Sequence, residues 1–135
     1  MSAGYSGTPL PQKLGFKAGT RYLFVGAPEG YTRTLGELPA DTTACRPRAR
    51  DLDLIQFFTS SAQALAGRFA PLAAKLPPAG ARWICWPKKS SGVPADITET
   101  DVRRIGLAAG LVDVKVCAVD EVWSGLKFVR RRKDR

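Results

Sequence analysis

The residues of this sequence with the most evident chemistry follow a short apolar run. Residues 81–86 read ARWICW and are followed by a proline, two lysines, two serines and a glycine. The ammonium groups of Lys88 and Lys89 repel each other unless both are solvated or share an anion. Ser90 and the flexible Gly92 can offer hydroxyl and backbone donors to an anionic oxygen. The pattern therefore predicts either an anion-binding loop or an ordinary solvated loop, since loops carry charge routinely.

Two further segments could contribute to a phosphate site. Ser60 directly follows the apolar run 51–58 and precedes a helical pattern, and a helix N-terminus favours anions. Gly26 and Gly30 lie in the stretch GAPEGY, where a glycine-containing turn could approach a phosphate closely. This stretch lacks both the G-x-G-x-x-G spacing and a P-loop lysine, and its glutamate would repel a phosphate. A plain turn is therefore favoured there.

Two adjacent carboxylates and two tryptophans are the remaining candidates. Asp120 and Glu121 follow the apolar run that starts at residue 111. Neighbouring residues on a strand point to opposite faces, so these carboxylates are not expected to act as a catalytic pair. Singly they could transfer a proton, hold a ribose or pair with a lysine, and the sequence leaves these roles open. Trp86 and Trp123 could stack on a base or pack in the core.

Alternating strand and helix patterns must position these residues. Apolar and aromatic runs predict strands at residues 21–26, 42–45, 51–58, 81–86, 111–120 and 121–132. Helical spacing predicts helices at residues 8–15, 31–38, 60–76 and 98–110. This alternation indicates a three-layer, Rossmann-like α/β sandwich with a mostly parallel sheet. The last two strands leave no room for a crossover helix and must be antiparallel.

Local signals set the expected helix ends. Thr8, Ser60 and Thr98 are suitable N-cap residues, and Gln63 completes a capping box with Ser60. Pro71 interrupts an otherwise helical pattern, so a kink or a restart of the helix is expected there.

The candidate segments all follow predicted strands. In open α/β sheets, ligands bind beyond the carboxyl ends of the strands, near a topological switch. We therefore expect the segments to meet at one edge of the sheet, where Lys88 and Lys89 supply positive charge.

Composition limits the class of protein and its compartment. The chain has 135 residues, of which 44% are hydrophobic and 24% charged, so one globular domain over residues 1–135 is expected. Residues 1–7 are small and polar, and we expect them to be loose. No apolar run approaches the roughly 20 residues that span a bilayer. The N-terminus is unlike a secretory signal, so no membrane association and a cytoplasmic location are expected.

The net charge of +9 favours anionic partners, and a small anionic molecule is the expected ligand. The last six residues, RRRKDR, hold five bases and one acid. This basic tail, residues 130–135, has no aromatic residue on which a base could stack. It therefore predicts only a weak, sequence-independent affinity for nucleic acid through phosphate contacts.

The cysteine and histidine content excludes several kinds of catalysis. The chain has three widely spaced cysteines and no histidine, which excludes Ser-His and Cys-His mechanisms. A zinc site from scattered thiols is not expected. Cys85 and Cys117 lie in predicted strands, where a reduced thiol behaves as a small apolar group. No metal site is expected, while the cofactor, any catalytic residue and the oligomeric state are left open.

Three blocks of the sequence are similar to a known family. They are YSGTPLPQKLGFK near the start, WPKKSSGVPADITE in the middle and GLVDVKVCAVDEVWSGLKFVRR at the end. Together they resemble the small bacterial proteins grouped as domain of unknown function 3052, and the likeness covers nearly the whole chain. That family has no established activity, so the resemblance implies no particular reaction.

The order of elements also resembles, more loosely, the fold of S-adenosylmethionine-dependent methyltransferases. In that fold a core strand similar to DLDLIQFF is followed by a helix and a strand similar to GARWICW, and the sheet ends in an antiparallel hairpin. The resemblance implies the strand order 2-1-3-4-6-5. Those enzymes carry an acidic, glycine-rich loop after the first strand and an acid after the second strand that holds the ribose. Here VGAPEGY and TACRPR stand in those places.

The sequence therefore supports three functions. The first is binding of a nucleotide-like or phosphate-bearing anion at the strand ends. The second is a degenerate methyltransferase-like enzyme, and the third is an accessory nucleic-acid-binding protein that uses the basic tail.

Overall fold

A six-stranded sheet with the strand order 2-1-3-4-6-5 lies at the centre of the protein, as predicted. The structure, a computed structural model, describes residues 8–131. Its strands are β1 Arg21–Val25, β2 Thr43–Ala44, β3 Leu54–Phe58, β4 Ala81–Pro87, β5 Leu111–Ala118 and β6 Trp123–Arg130. Its α-helices are α1 Leu10–Leu14, α2 Tyr31–Leu35, α3 Ala62–Ala73 and α4 Glu99–Ala108.

The neighbouring strands β2, β1, β3 and β4 are parallel, and β6 of the closing hairpin is antiparallel to both of its neighbours. β1 pairs in parallel with β2 and β3, and β3 pairs in parallel with β4. β6 is antiparallel to both β4 and β5. All residues of β3 and β4 are buried, because helices cover both faces of the sheet at these central strands. This burial explains why neither sequence alternates between apolar and polar residues.

The sheet separates two apolar cores, which gives the predicted three-layer α/β sandwich. One core contains Phe69 of α3 and Val102 of α4. The other contains Leu14 of α1 and Tyr31 of α2. The second face is covered by two helices of only five residues each, so part of it remains open to a groove. Within residues 8–131, no helix has the length and apolar character needed to cross a bilayer.

Several predicted boundaries are corrected by the structure. Ser61, and not Ser60, caps α3, because the Ser61 side chain accepts a hydrogen bond from the amide of Ala64. α1 starts after Pro9 and has no side-chain cap, so the N-cap predicted at Thr8 is wrong. α3 runs through Pro71 without restarting and ends at Ala73. β3 begins at Leu54 because Asp53 caps the start of β1 through the amide of Arg21.

The N-cap predicted at Thr98 of α4 is confirmed and forms a capping box with Asp101, whereas the capping box predicted from Ser60 and Gln63 at α3 is not formed. The Thr98 side chain accepts a hydrogen bond from the Asp101 amide, and the Asp101 carboxylate accepts one from the Thr98 amide. These bonds lower the pKa of Asp101 below its ordinary value. The predicted edge strand is present as β2. The predictions for residues 1–7 and for residues 132–135 of the tail lie outside the described residues.

Candidate functional site

The carboxyl edge of the sheet brings together the loop after β4 and the turn between β5 and β6. Pro87, the last residue of β4, is paired with Trp123, the first residue of β6. The amide of Lys88 donates to the carbonyl oxygen of Val122 at 2.7 Å. The Lys88 Nζ donates to the carbonyl oxygen of Asp120 at 2.8 Å, so both segments form one surface.

Lys88 and Lys89 keep their positive charge unpaired in the described part of the chain. The ion pairs of residues 8–131 involve Arg103 and Arg104 on α4, and neither lysine of the loop takes part in one. Lys88 is half-buried and bonds to a neutral carbonyl, which leaves its charge uncompensated. Lys89 is exposed at the start of a 3₁₀ turn, residues 89–91. Two consecutive lysines therefore follow β4 at the edge where ligands bind in such sheets.

The serines and the glycine of this loop have different roles. The Ser91 hydroxyl donates to the Lys88 carbonyl at 2.6 Å and accepts from the amide of Val93, so it closes the turn. Ser90 and Gly92 are exposed, and Gly92 ends the turn with a φ of 77°. Ser90 and the backbone at Gly92 are therefore accessible to a ligand, while Ser91 holds the loop in shape.

Asp120 closes the turn between β5 and β6. Its Oδ1 accepts hydrogen bonds from the amides of Val122 and Trp123, both at 2.8 Å. The carboxylate makes no ion pair with Lys88, which bonds instead to the Asp120 carbonyl. The simple ion pair considered from the sequence is therefore not formed, and Glu121 is exposed. The Asp120 side chain is committed to backbone structure.

The two tryptophans beside this surface differ in burial. Trp86 is only 5% exposed and belongs to the core under α3 and α4, so it cannot stack on a ligand without moving that core. Trp123 is partly exposed, and its ring packs edge-on against Phe58 with the ring centres 5.3 Å apart. Trp83 is fully buried, and its Nε1 donates to the Leu14 carbonyl.

The N-terminus of α3, where Ser60 was expected to help bind an anion, already has a carboxylate. The amide of Ala62 donates to Oδ1 of Asp96 at 2.8 Å, and the amide of Asp96 donates to the carbonyl of Ser60 at 3.1 Å. Ser60 itself is exposed. Its backbone therefore connects to the segment after the lysine loop, and Asp96 satisfies the first amide of the helix. The sequence analysis missed Asp96, for which the only signal was an acid just before the Thr98 cap.

The glycine at position 26 in the loop after β1 is required by packing against β3. Gly26 has a φ of +70°, and a Cβ at this position would lie 2.7 Å from the carbonyl oxygen of Phe58. A side chain is excluded there by the neighbouring strand β3 and by the backbone conformation. Gly30 is the N-cap of α2, which has only five residues. These features suit the plain turn that the sequence favoured.

A buried polar network lies beneath this edge. The Tyr31 hydroxyl donates to Oε1 of Gln56 at 2.8 Å, and Nε2 of Gln56 donates to the Cys85 sulfur at 3.5 Å. Burial is the main reason that the pKa values of Tyr31 and Cys85 are raised above their ordinary values. Burial also raises the pKa of Cys117. Both thiols are therefore protonated at neutral pH and inert, as the sequence predicted.

A groove that the sequence did not indicate lies on the face covered by α1 and α2. It has a volume of about 810 Å³ and lies between α1, residues 34–39 and the end of β5. Its floor includes Phe16 and Val119, and the next residue, Asp120, carries the carbonyl that binds Lys88. The groove thus adjoins the lysine loop through two consecutive residues. It forms because α1 and α2 are too short to cover this face.

No protein-family model matches the sequence, and none of the curated proteins compared with it is similar in sequence. The likeness to the bacterial family of unknown function therefore stays a prediction.

The fold is similar to that of solved methyltransferases. A SAM-dependent methyltransferase from Aquifex aeolicus is 14% identical with a TM-score of 0.61, and the match covers 89% of this chain and 87% of that one. The fibrillarin pre-rRNA processing protein of Methanococcus jannaschii is 15% identical with a TM-score of 0.56, covering 94% and 70%. Magnesium protoporphyrin IX methyltransferase from Synechocystis PCC 6803 is 13% identical with a TM-score of 0.51, covering 76% and 56%.

These comparisons establish a methyltransferase-like α/β fold, and at such low identity they establish the fold alone. The chain spans little more than half the length of the magnesium protoporphyrin IX methyltransferase.

The residues at two of the strand ends differ from those that the resemblance implies for S-adenosylmethionine binding. β2 ends at Ala44 and is followed by Cys45 and the exposed Arg46, where the resemblance leads us to expect an acid for the ribose. The glycine turn after β1 is packed against β3 at Gly26. The fold is therefore shared with methyltransferases, while the groups that would hold their cofactor are replaced.

Proposed function

We propose that this protein binds a small phosphate-bearing, nucleotide-like anion at the carboxyl edge of its sheet. The observation that carries the proposal is the pair of unpaired ammonium groups, Lys88 and Lys89, at that edge. In the proposed complex the lysines contribute charge. Ser90 and Gly92 of the same loop, and Ser60 beside it, contribute hydrogen-bond donors.

The surroundings of the lysines support this assignment. Lys88 is held in place by the Asp120 carbonyl, so an anion would meet an ammonium group whose position is already fixed. The neighbouring groove of about 810 Å³ is within the size range of small-molecule sites. The partly exposed ring of Trp123 lies near the same edge and offers a face for a base. Charge and apolar surface thus adjoin one another, as a nucleotide requires.

Replacing Lys88 and Lys89 together by alanine is expected to abolish stabilisation by the anion. We expect a thermal-shift screen of nucleotides and inorganic phosphates to find an anion that raises the melting temperature of the parent. At a concentration of 100 times Kd, that stabilisation is about 2.7 kcal/mol. The double variant should still fold, because Lys89 is exposed and the loss at the half-buried Lys88 is mainly its hydrogen bond to the Asp120 carbonyl, about 1–2 kcal/mol.

The control for this experiment removes two charges from the opposite face. Arg68 and Arg104 are exposed on α3 and α4, so their double replacement by alanine changes the net charge equally. The control should respond to the anion as the parent does. An undiminished response in the Lys88/Lys89 variant would exclude a site at this loop.

A degenerate methyltransferase is the second candidate, and the similarity of the fold to methyltransferases favours it. Because the acid expected after β2 is replaced by Cys45 and Arg46, we expect S-adenosylmethionine to bind more weakly than about 1 mM, or roughly 4 kcal/mol. Isothermal titration calorimetry measures this directly, with the anion from the screen as the positive control. Micromolar binding would make methyl transfer the better proposal.

A further inference from the structure

Lys127 on β6 is a partly buried lysine whose charge has no partner among residues 8–131. Its ammonium group makes no hydrogen bond and no ion pair with residues 8–131. The Nζ lies beneath the end of α1, at 3.9 Å from the place that a Cβ would take at Gly15. Burying an unpaired charge lowers stability, so such a group calls for an explanation.

Two other lysines act on the charge of Lys127. Lys115 on β5 is its register partner in the sheet. The Lys115 Nζ is held by the carbonyl of Lys13 at 2.9 Å. Burial first, and then the charges of Lys115 and Lys17, lower the pKa of Lys127. Three ammonium groups are therefore gathered on one face of the sheet without a carboxylate paired to any of them in the described chain.

Lys17 and Lys127 line the same cavity, which has a volume of about 440 Å³. The cavity lies at the amino edge of the sheet, since its wall includes Thr20 before β1 and Ala81 at the start of β4. The one acid in its lining, Asp53, accepts the Arg21 amide at 2.9 Å and forms no ion pair with either lysine. The cavity is thus positive and lies opposite the carboxyl edge.

We propose that Lys17, Lys115 and Lys127 form a second anion site, which takes a diphosphate or short polyphosphate group. A multiply charged anion would relieve the repulsion among the three ammonium groups and give the unpaired Lys127 a partner. A group of that charge and chain length can contact more than one lysine at once. The inference does not depend on the proposed function, because it uses other residues at the other edge.

The proposed site predicts that Lys127→Met raises the melting temperature without ligand and reduces the stabilisation by pyrophosphate. Replacing Lys127 by methionine keeps the apolar stem and removes the unpaired charge, so the melting temperature without ligand should rise. Inorganic pyrophosphate at millimolar concentration should raise the melting temperature of the parent. It should have little effect on the variant in which Lys17 and Lys127 are both methionine.

Two further variants separate this site from a general effect of charge. The variant with methionine at Arg68 and Arg104 loses the same charge from the opposite face, and its pyrophosphate response should equal that of the parent. Lys127→Arg keeps the charge and should keep most of the response. All of these proteins, including the one used as the parent, carry Lys88→Ala and Lys89→Ala, so the response to pyrophosphate cannot come from the carboxyl edge and the outcome is independent of that proposal.

Three outcomes would overturn the inference. Pyrophosphate could fail to stabilise the parent at 10 mM, which would mean that it binds with a free energy weaker than about 2.7 kcal/mol. The Lys17/Lys127 variant could respond as fully as the parent. A single-stranded oligonucleotide without terminal phosphates could bind more tightly than pyrophosphate through the same lysines, which would assign the surface to nucleic acid.

Discussion

Replacing Arg82 by lysine is expected to lower the free energy of unfolding by about 3–5 kcal/mol. Arg82 is fully buried at the start of β4, and its guanidinium donates to the carbonyl oxygens of five residues: Ala73, Leu76, Pro77, Pro78 and Gly80. Burial lowers the pKa of Arg82 to about 10, so it remains charged at neutral pH. A lysine cannot reproduce the planar fork, and buried carbonyls would lose their donors.

Urea unfolding of both proteins measures this loss. The matched control is Arg104→Lys on α4, where the side chain is exposed and the change should stay within about 0.5 kcal/mol. Equal effects of the two substitutions would mean that Arg82 does not hold the end of α3. Arg82 is the second residue of β4, and β4 ends at the lysine loop. The hydrogen bonds of Arg82 therefore also hold the strand that precedes the proposed site.

Gly106→Ala is expected to destabilise the protein by about 2 kcal/mol, although alanine is the better helix former. A Cβ at Gly106 of α4 would lie 2.1 Å from the ring of Phe128, which is fully buried on β6. The helix would have to move away from the sheet. Gly67→Ala in α3 is the matched control, because a Cβ there meets nothing within 4 Å. That change should stabilise the protein by about 1 kcal/mol.

A double-mutant cycle with Phe128→Leu attributes the loss to this contact. Removing the ring should make Gly106→Ala less harmful, so the coupling energy between the two positions should be clearly different from zero. Destabilisation by Gly106→Ala that is the same in both backgrounds would refute the steric explanation.

The layers of this fold could be predicted from local patterns, whereas the strand order was implied by the resemblance to the methyltransferase fold. Strands such as β3 and β4 read as apolar runs, and the short link between β5 and β6 required an antiparallel pair. The predicted ends of the elements differ from the observed ends by one to three residues. At the start of α3, two neighbouring residues compete for the N-cap position. Ser60 and Ser61 are equally suitable N-caps by type, and the backbone decided for Ser61.

Contacts between distant segments could not be predicted. Asp96 reaches the amide of Ala62, and the carbonyl of Asp120 binds Lys88, only because the fold places these loops at one edge. Lys17, Lys115 and Lys127 are far apart in sequence and have no shared motif. Their clustering follows from the strand register and from the path of the chain before β1. The strand pattern predicts an edge for ligand binding, which stays a prediction, while the side-chain partners required the three-dimensional arrangement.

The most direct test of the central claim is amide chemical-shift mapping by NMR during a titration with adenosine 5′-diphosphate. The proposal predicts saturable shifts at the amides of residues 88–92, with smaller ones at Ser60 and Asp120. Shifts at the amino edge, around Lys17 and Lys127, would report the second site separately because the two edges are opposite. The carboxyl-edge site is contradicted if the amide resonances of residues 88–92 do not shift at nucleotide concentrations up to 10 mM. A Kd of 10 mM corresponds to a binding free energy of about 2.7 kcal/mol.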